Sequence, residues 1–194
     1  MSKFKSIRIY RRIFLVFSIL LGIFSPLFFL YKFPDFNPLV EPISTFGVKE
    51  STFLFWKFLI IVLAIAIVLN ALKAINFHFK LRRVRLFLKS ILGFSSISLM
   101  LVAFISMNFN ETLHHLSAFL FFMTYNFFVF IFGFIRMYRD LRKGFLSVII
   151  GSMMLLSTIL LIPYESYGVF EIVYVSLVLI WNIIIFTKRV IKIG

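Results

Sequence analysis

The chain has 194 residues, of which 62% are hydrophobic and 29 are phenylalanine, and its formal net charge is +14. This apolar share far exceeds the roughly half that soluble domains contain, so the composition excludes an ordinary soluble protein and indicates a membrane protein. The chain contains no cysteine, which excludes disulfides, thiolate metal sites and a cysteine nucleophile.

Six predominantly apolar runs follow one another along the chain. A bilayer core about 30 Å thick needs roughly 20 apolar residues for one helical crossing, and each run approaches that length. Helices are expected because an open strand would leave backbone groups unpaired in lipid, and the alternating polarity of a β-barrel is missing. The sequence therefore predicts an all-α, polytopic six-helix transmembrane bundle forming one domain over 1–194, with spans at about 13–31, 52–75, 86–107, 116–135, 145–162 and 169–187.

Basic residues are concentrated in alternate connections. The N-terminus, the second and fourth connections and the C-terminus hold 18 of the 21 lysines and arginines, whereas six of the seven acids fall on the other side. Because basic residues near span ends are retained in the cytoplasm, both termini are predicted to be cytoplasmic. The run KLRRVR at 80–85 would be the place to look for a nucleic-acid interface. Charge lying against anionic headgroups explains all four clusters at once, so membrane lipids are the expected partners and nucleic acid is not.

The stretch NETLHHLSAFLFF at 110–122 places a carboxylate and two histidines before the fourth apolar run. Glu111 precedes His114 by three residues and His115 by four, so on a helix it can reach either imidazole. These three residues are the catalytic candidates, since a histidine held by a carboxylate can act as a general base or acid. Glu111 and His114 are also the candidate metal ligands, although one E-x-x-H copy does not favour a divalent metal. Alternatively, Glu111 favours the positive helix N-terminus and the histidines lie at the wet interface.

Polar residues inside the fourth and sixth spans form two stripes. Asn126 shares a face of the fourth helix with His115, and Glu171, Tyr174 and Asn182 share a face of the sixth. If these stripes face one another, they line a polar cleft that opens outward. The alternative is that Asn126 and Asn182 form hydrogen bonds with neighbouring helices and serve only packing.

Two short motifs carry a family resemblance. EPISTFG at 41–47 follows the first span, and HHLSAFLFF at 114–122 opens the fourth. With six spans, this pattern resembles an uncharacterised family of six-helix membrane proteins from bacteria and archaea, distantly similar to the Frag/DRAM/Sfk type, some of which are linked to lipid or lipid-anchor handling. The resemblance implies the cytoplasmic membrane of a prokaryote, and it implies that Glu41, Ser44, Gly47, His114 and His115 meet at the outer face.

Three classes of function remain open, and whether the protein is an enzyme stays open with them. The first is a protein that binds or processes a lipid-like amphiphile at an outward-facing polar pocket, whose acids favour a cationic or metal-bridged headgroup. The second is a small transporter or channel, and the third is an assembly or regulatory subunit. The first is preferred because outer acids and histidines cluster where a headgroup would lie. Its predicted ligand-binding residues are Glu41, Ser44, Glu165, Glu171, Tyr174, Asn126 and Asn182.

Overall fold

A computed structural model describes the backbone of residues 2–163 and 166–190, and the side chains of residues 13–25, 27–163 and 166–185. Within these residues all regular secondary structure is helical and there is no strand, which confirms the all-α class. The six α-helices are α1 Ser2–Lys32, α2 Phe53–His78, α3 Arg82–Phe104, α4 Glu111–Met137, α5 Leu141–Leu156 and α6 Gly168–Val190.

Each helix contains a segment long and apolar enough to cross a bilayer. α5 has only 16 residues, but the 3₁₀ helix Ser157–Leu161 continues it, so that Leu141–Leu161 supplies a segment of 21 residues. A rise of about 1.5 Å per residue lets such segments span a hydrocarbon core of about 30 Å. The protein is therefore an integral membrane protein with six membrane-spanning helices.

Side-chain caps set the starts of two helices. The Asn110 side chain accepts a hydrogen bond from the Leu113 amide at 2.9 Å, and that of Asp140 accepts one from the Lys143 amide at 3.1 Å. Such caps satisfy amides that have no partner within the helix. The Lys143 side chain also hydrogen-bonds Asp140 and lowers the pKa of that carboxyl. α4 and α5 consequently begin directly after asparagine and aspartate, residue types that favour the N-cap position.

Successive helices pack side by side, and α6 returns to contact α1, α2 and α5. An aromatic cluster fixes α6 against α4. Trp181 meets Tyr125, Phe128 and Phe132 edge to face, with ring centroids 6.0, 5.7 and 5.5 Å apart, and all four side chains are fully buried. Edge-to-face pairs add to the free energy that burial alone supplies. This cluster forms the centre of the bundle.

The connections meet at two ends of the bundle. At the acidic end, which joins α1 to α2, α3 to α4 and α5 to α6, the Ser166 hydroxyl donates to the Pro38 carbonyl at 3.0 Å. There the start of α6 approaches the first connection so closely that a Cβ atom on Gly168 would overlap the Pro38 and Glu41 carbonyl oxygens. At the basic end, which joins α2 to α3 and α4 to α5, Arg139 Nη1 donates to the His78 carbonyl at 2.6 Å.

A 3₁₀ helix at Ile43–Gly47, here called the loop helix, covers the acidic end. Its Phe46 stacks on Phe29 of α1 with ring centroids 4.3 Å apart. Gly47 lies against Trp56, where a Cβ atom would come within 2.6 Å of the indole. The loop helix is thus held on α1 and α2 by aromatic contacts that leave no room for a larger residue at position 47.

Candidate functional site

A cavity of about 70 Å³, here called the polar cavity, lies beneath the loop helix at the acidic end. Its polar side chains are Ser44 of the loop helix, His114 of α4 and Glu171 of α6. All three come from segments far apart in sequence, so only the tertiary fold assembles them. The remaining lining is apolar and comprises Ile43, Trp56, Ile60, Leu99, Val102, Ala118, Phe121, Phe122 and Val175.

Glu171 lies in the first turn of α6 and caps the loop helix. Its Oε2 accepts hydrogen bonds from the backbone amides of Ile43 at 2.7 Å and Ser44 at 3.4 Å. The loop helix has no cap from its own N-cap residue, Pro42, so Glu171 satisfies amides that would otherwise lack a partner. Among the described side chains, no lysine, arginine or histidine pairs with Glu171. Its carboxyl group is thus met by backbone amides and, among the described side chains, by no counterion.

His114 faces the bundle interior and is 3% exposed. Its Nδ1 lies 2.7 Å from the Ile105 carbonyl oxygen. Because a carbonyl only accepts, Nδ1 must carry the proton of this hydrogen bond. In the neutral ring Nε2 is then an acceptor, and it has no hydrogen-bond partner among the described residues. The connection before α4 therefore selects the tautomer that can accept a proton or hydrogen bond from a ligand.

Ser44 is also buried, and its hydroxyl donates to Met107 Sδ at 3.5 Å. A hydroxyl oxygen that donates its proton in this way retains lone pairs that accept. Ser44 Oγ, His114 Nε2 and the carboxylate of Glu171 hence all offer acceptors. Because all three polar side chains offer acceptors, the polar cavity suits a group that supplies donors.

A second cavity of about 160 Å³, the apolar cavity, lies between α1, α2 and α6. Ser25 is its one hydroxyl-bearing lining residue among those described, and the rest of the lining is glycine, proline, aliphatic or aromatic. Four residues line both cavities, so the two spaces share a wall. These residues are Ile43, Trp56, Ile60 and Val175.

The surface around the polar cavity holds other predicted site residues. Glu111 pairs with His115, with Oε1 and Nε2 3.5 Å apart, rather than with His114. The Glu111 side chain is 71% exposed, so this pair lies at the surface. Glu41 pairs with Lys49 at 3.7 Å and does not line the cavity. Glu165 lies outside the described residues.

The predicted residues deeper in the bundle bind other helices. Asn126 donates to the Gly151 carbonyl of α5 at 2.9 Å, and Tyr174 donates to the Phe122 carbonyl of α4 at 2.6 Å. Asn182 contacts Asn70 of α2 and Tyr125 of α4. None of these three predicted residues lines the polar cavity. The hydrogen bonds of Asn126 and Asn182 are those of the packing alternative that the sequence left open for these two residues.

Metal ligands do not converge in the part of the chain that the structure describes. No group of three or more histidine, cysteine, aspartate or glutamate side chains there is placed to hold a metal ion. The two candidate ligands diverge, since Glu111 faces the surface and His114 faces the cavity.

Two contributors to the site carry little signal in the sequence. Trp56 separates the two cavities, but a tryptophan near the start of a span is usually explained by the membrane interface. The Ile105 carbonyl orients His114, and a backbone group cannot be identified from residue types. The buried face of α4 could have been found, because His114, Ser117, Phe121, Tyr125, Phe128 and Phe132 recur at helical spacing.

Comparison with known proteins gives a family and no function. No curated protein and no solved structure matched the chain significantly. One family model, described as a protein of unknown function (DUF998), matches residues 14–188, which include α2 to α5, most of α1 and α6, and every residue of the polar cavity. With most of its length matched, the chain belongs to the DUF998 family of uncharacterised membrane proteins.

Proposed function

We propose that the protein binds, or binds and processes, a lipid-like amphiphile whose polar group occupies the polar cavity and whose chain occupies the apolar cavity. The observation that supports this most directly is the wall that the two cavities share. Ile43, Trp56, Ile60 and Val175 line both spaces, so the two cavities adjoin, and a molecule with a polar end and an apolar end would occupy both when these side chains move aside. Ligand sites with mostly apolar walls and a few polar groups commonly have this composition.

The polar group is a hydrogen-bond donor and carries a positive charge. Glu171 has no counterion among the described side chains, and a partly buried carboxylate is stabilised by a cation. His114 and Ser44 add neutral acceptors. A primary ammonium provides three donors and the missing charge. A phosphate or carboxylate would meet acceptors and a like charge, so this site discriminates against anionic headgroups.

We also propose that the acidic end faces the non-cytoplasmic side of a prokaryotic cytoplasmic membrane, because the basic connections would be retained in the cytoplasm. If the ligand is processed, His114 Nε2 is the candidate general base, because the bond from Nδ1 to Ile105 leaves it free to accept a proton.

The transporter alternative depended on the polar stripes that end in Asn126 and Asn182. Those amides hydrogen-bond to other helices, and the space beside Asn182 is only about 20 Å³. The observations therefore favour amphiphile binding.

Trp56 offers a direct test because it lines both cavities. The chain has two tryptophans, so the variant Trp181→Phe leaves Trp56 as the single tryptophan, which can be excited selectively over the tyrosines. The Trp181 indole nitrogen that is lost has no hydrogen-bond partner among the described residues. In phosphatidylcholine nanodiscs, a dibrominated C18 primary amine should quench Trp56 saturably. An unbrominated amine should reverse the quenching, whereas the dibrominated phosphate of the same chain should require a concentration at least tenfold higher.

A matched pair of substitutions on α6 supplies the control. Val175→Phe fills the shared wall and should abolish the saturable quenching, whereas Ile180→Phe adds the same side chain at an exposed position and should not. Quenching that is non-saturable and equal in both variants would mean that bromines in the bulk bilayer are responsible, and the proposed function would be wrong. Saturable quenching with the phosphate preferred would overturn only the headgroup assignment.

A further inference from the structure

A cavity of about 170 Å³ at the basic end combines an apolar floor with a basic rim. The floor is formed by Phe79, Leu81 and Val84 from the start of α3 and its preceding connection, and by Ile135 of α4. Lys80 and Arg139 form the rim. This space, here called the basic groove, lies at the opposite end of the bundle from Glu171 and His114.

The rim is partly fixed before any ligand arrives. Arg139 Nη1 donates to the His78 carbonyl at the end of α2, at 2.6 Å. This bond holds the guanidinium across the mouth of the groove and leaves its other nitrogens as donors. Arg139 and Lys80 are both exposed, so a bound anion would not have to displace an existing ion pair.

The charges around the groove have no acidic complement. Arg82, Arg83 and Arg85 lie in the first turn of α3, which contains no acid, and Leu81 provides no side-chain cap. Cations at a helix N-terminus oppose the helix dipole, and an external anion relieves that conflict. Asp140, the acid between α4 and α5, is already engaged by Lys143. The field at the groove is therefore positive.

We propose that the basic groove binds an anionic phospholipid, with the phosphate on Lys80 and Arg139 and the start of an acyl chain on the apolar floor. Charge complementarity selects the phosphate. The apolar floor selects a lipid over a soluble anion, as do Tyr138 and Leu81, which line the groove and are 92% and 66% exposed. Tyrosine is enriched where membranes meet water. The protein thus has two lipid sites of opposite preference, one at each end.

Native mass spectrometry of the full chain in a neutral detergent tests this assignment. Phosphatidylglycerol should bind in preference to phosphatidylcholine with the same acyl chains. The variant K80Q/R139Q should weaken binding of the tightest phosphatidylglycerol about 30-fold, the loss expected for two basic groups near a lipid surface. The control R83Q/R142Q removes the same charge from the same end at residues that do not line the groove, and it should cost less than about threefold.

Further outcomes decide against the proposal. An equal loss in both double variants would show that general charge attracts the lipid, and equal binding of phosphatidylcholine would show that the phosphate charge is not selected. Displacement of the lipid by millimolar glycerol phosphate would make the site one for a soluble anion. The charge-conserving variant K80R/R139K should retain binding, which separates the loss of a site from a loss of folding. Failure here would leave the proposal for the acidic end intact.

Discussion

Two groups of buried polar residues each include one residue of α6, and they differ in how their hydrogen-bonding atoms are paired. In the amide cluster, Asn70 Nδ2 donates to the Asn182 carbonyl and side-chain oxygens at 2.9 and 3.0 Å, and Asn182 Nδ2 donates to Tyr125 Oη at 2.8 Å. In the polar cavity three helical turns away, Glu171 accepts from the backbone amides of Ile43 and Ser44, and His114 Nδ1 donates to the Ile105 carbonyl. The side chains of the first group bond to one another across three helices, whereas His114 Nε2 in the second has no hydrogen-bond partner among the described residues.

The cavity beside the amide cluster is also smaller than the space at the polar cavity. The amide cluster adjoins a cavity of about 20 Å³, enough for one water, which would pair the one amide oxygen left without a partner, Asn70 Oδ1. The polar cavity has about 70 Å³ and adjoins a further 160 Å³. Buried polarity in this bundle therefore serves two purposes. The amide cluster joins helices through side-chain hydrogen bonds, and the polar cavity, with acceptors beside a larger empty volume, is the candidate site.

The largest effect is expected for Asn182→Leu. The substitution removes the hydrogen bonds of the Asn182 side chain, so that Tyr125 Oη loses its donor and Asn70 Nδ2 keeps only the backbone carbonyl of residue 182. Interhelical hydrogen bonds contribute about 1 kcal/mol each and an unsatisfied buried group costs about 1–3 kcal/mol, so we expect a loss of about 2–4 kcal/mol of unfolding free energy. Unfolding in mixed micelles with increasing dodecyl sulfate measures this loss. Ser176→Leu at an exposed position of α6 is the control, and similar stability of the two variants would contradict a joining role.

Glu171→Gln tests the polar cavity. Glutamine keeps an oxygen that can accept from the Ile43 and Ser44 amides, so the loop helix remains capped while the charge is lost. A hydrogen bond to a charged group contributes about 1.5–3 kcal/mol, so affinity for the C18 primary amine should fall at least tenfold. Binding of the C18 alcohol, measured by the same Trp56 quenching, should change less than about threefold. Unaltered amine affinity would show that the carboxylate does not meet the headgroup.

The adjacent histidines provide a smaller and sharper contrast. His114→Ala should weaken amine binding about fivefold, since a neutral hydrogen bond contributes about 1 kcal/mol. His115→Ala should change it less than twofold, because His115 pairs with Glu111 outside the polar cavity. Titration of both variants under identical conditions distinguishes these outcomes. The reverse order would place the ligand at the surface pair.

The smallest effect belongs to Glu111→Gln. The Glu111–His115 pair is exposed, and exposed pairs contribute little, so we expect about 0.5 kcal/mol or less of unfolding free energy and no change in amine affinity. The dodecyl sulfate titration and the Trp56 titration check the two expectations. A tenfold loss of affinity would give Glu111 a functional role that its position does not suggest.

The helices were predictable because hydropathy acts locally. An apolar run of about 20 residues has few alternatives in lipid, so six runs became six helices. The ends of the helices were harder to predict from the sequence. α3 begins at Arg82, before its apolar run, because long basic side chains can extend from a helix toward water.

The site was predictable only in part, since it depends on which helix face is turned inward. Neighbouring residues on a helix are about 100° apart, so His114 and His115 cannot both face the interior. The stripe from His115 to Asn126 pointed to one face, but the spacing of Phe121, Tyr125 and Phe128 continues from His114, which is the buried histidine. The contact between Ser44 and Glu171 joins positions 127 apart, a pairing that no local pattern encodes.

Because Glu171 caps the loop helix, the stability of the loop helix and the binding of a ligand at Glu171 would affect each other. One carboxylate oxygen holds the amides of Ile43 and Ser44, and the same group is the charge that an incoming ammonium would meet. A ligand that bonds to the Glu171 carboxylate changes the strength of its bonds to the loop helix. By thermodynamic linkage, loosening of the loop helix changes ligand affinity by the same factor. If the proposed ligand binds, the loop helix would therefore respond to it, and hydrogen exchange at the Ile43 amide would report binding without an attached fluorophore.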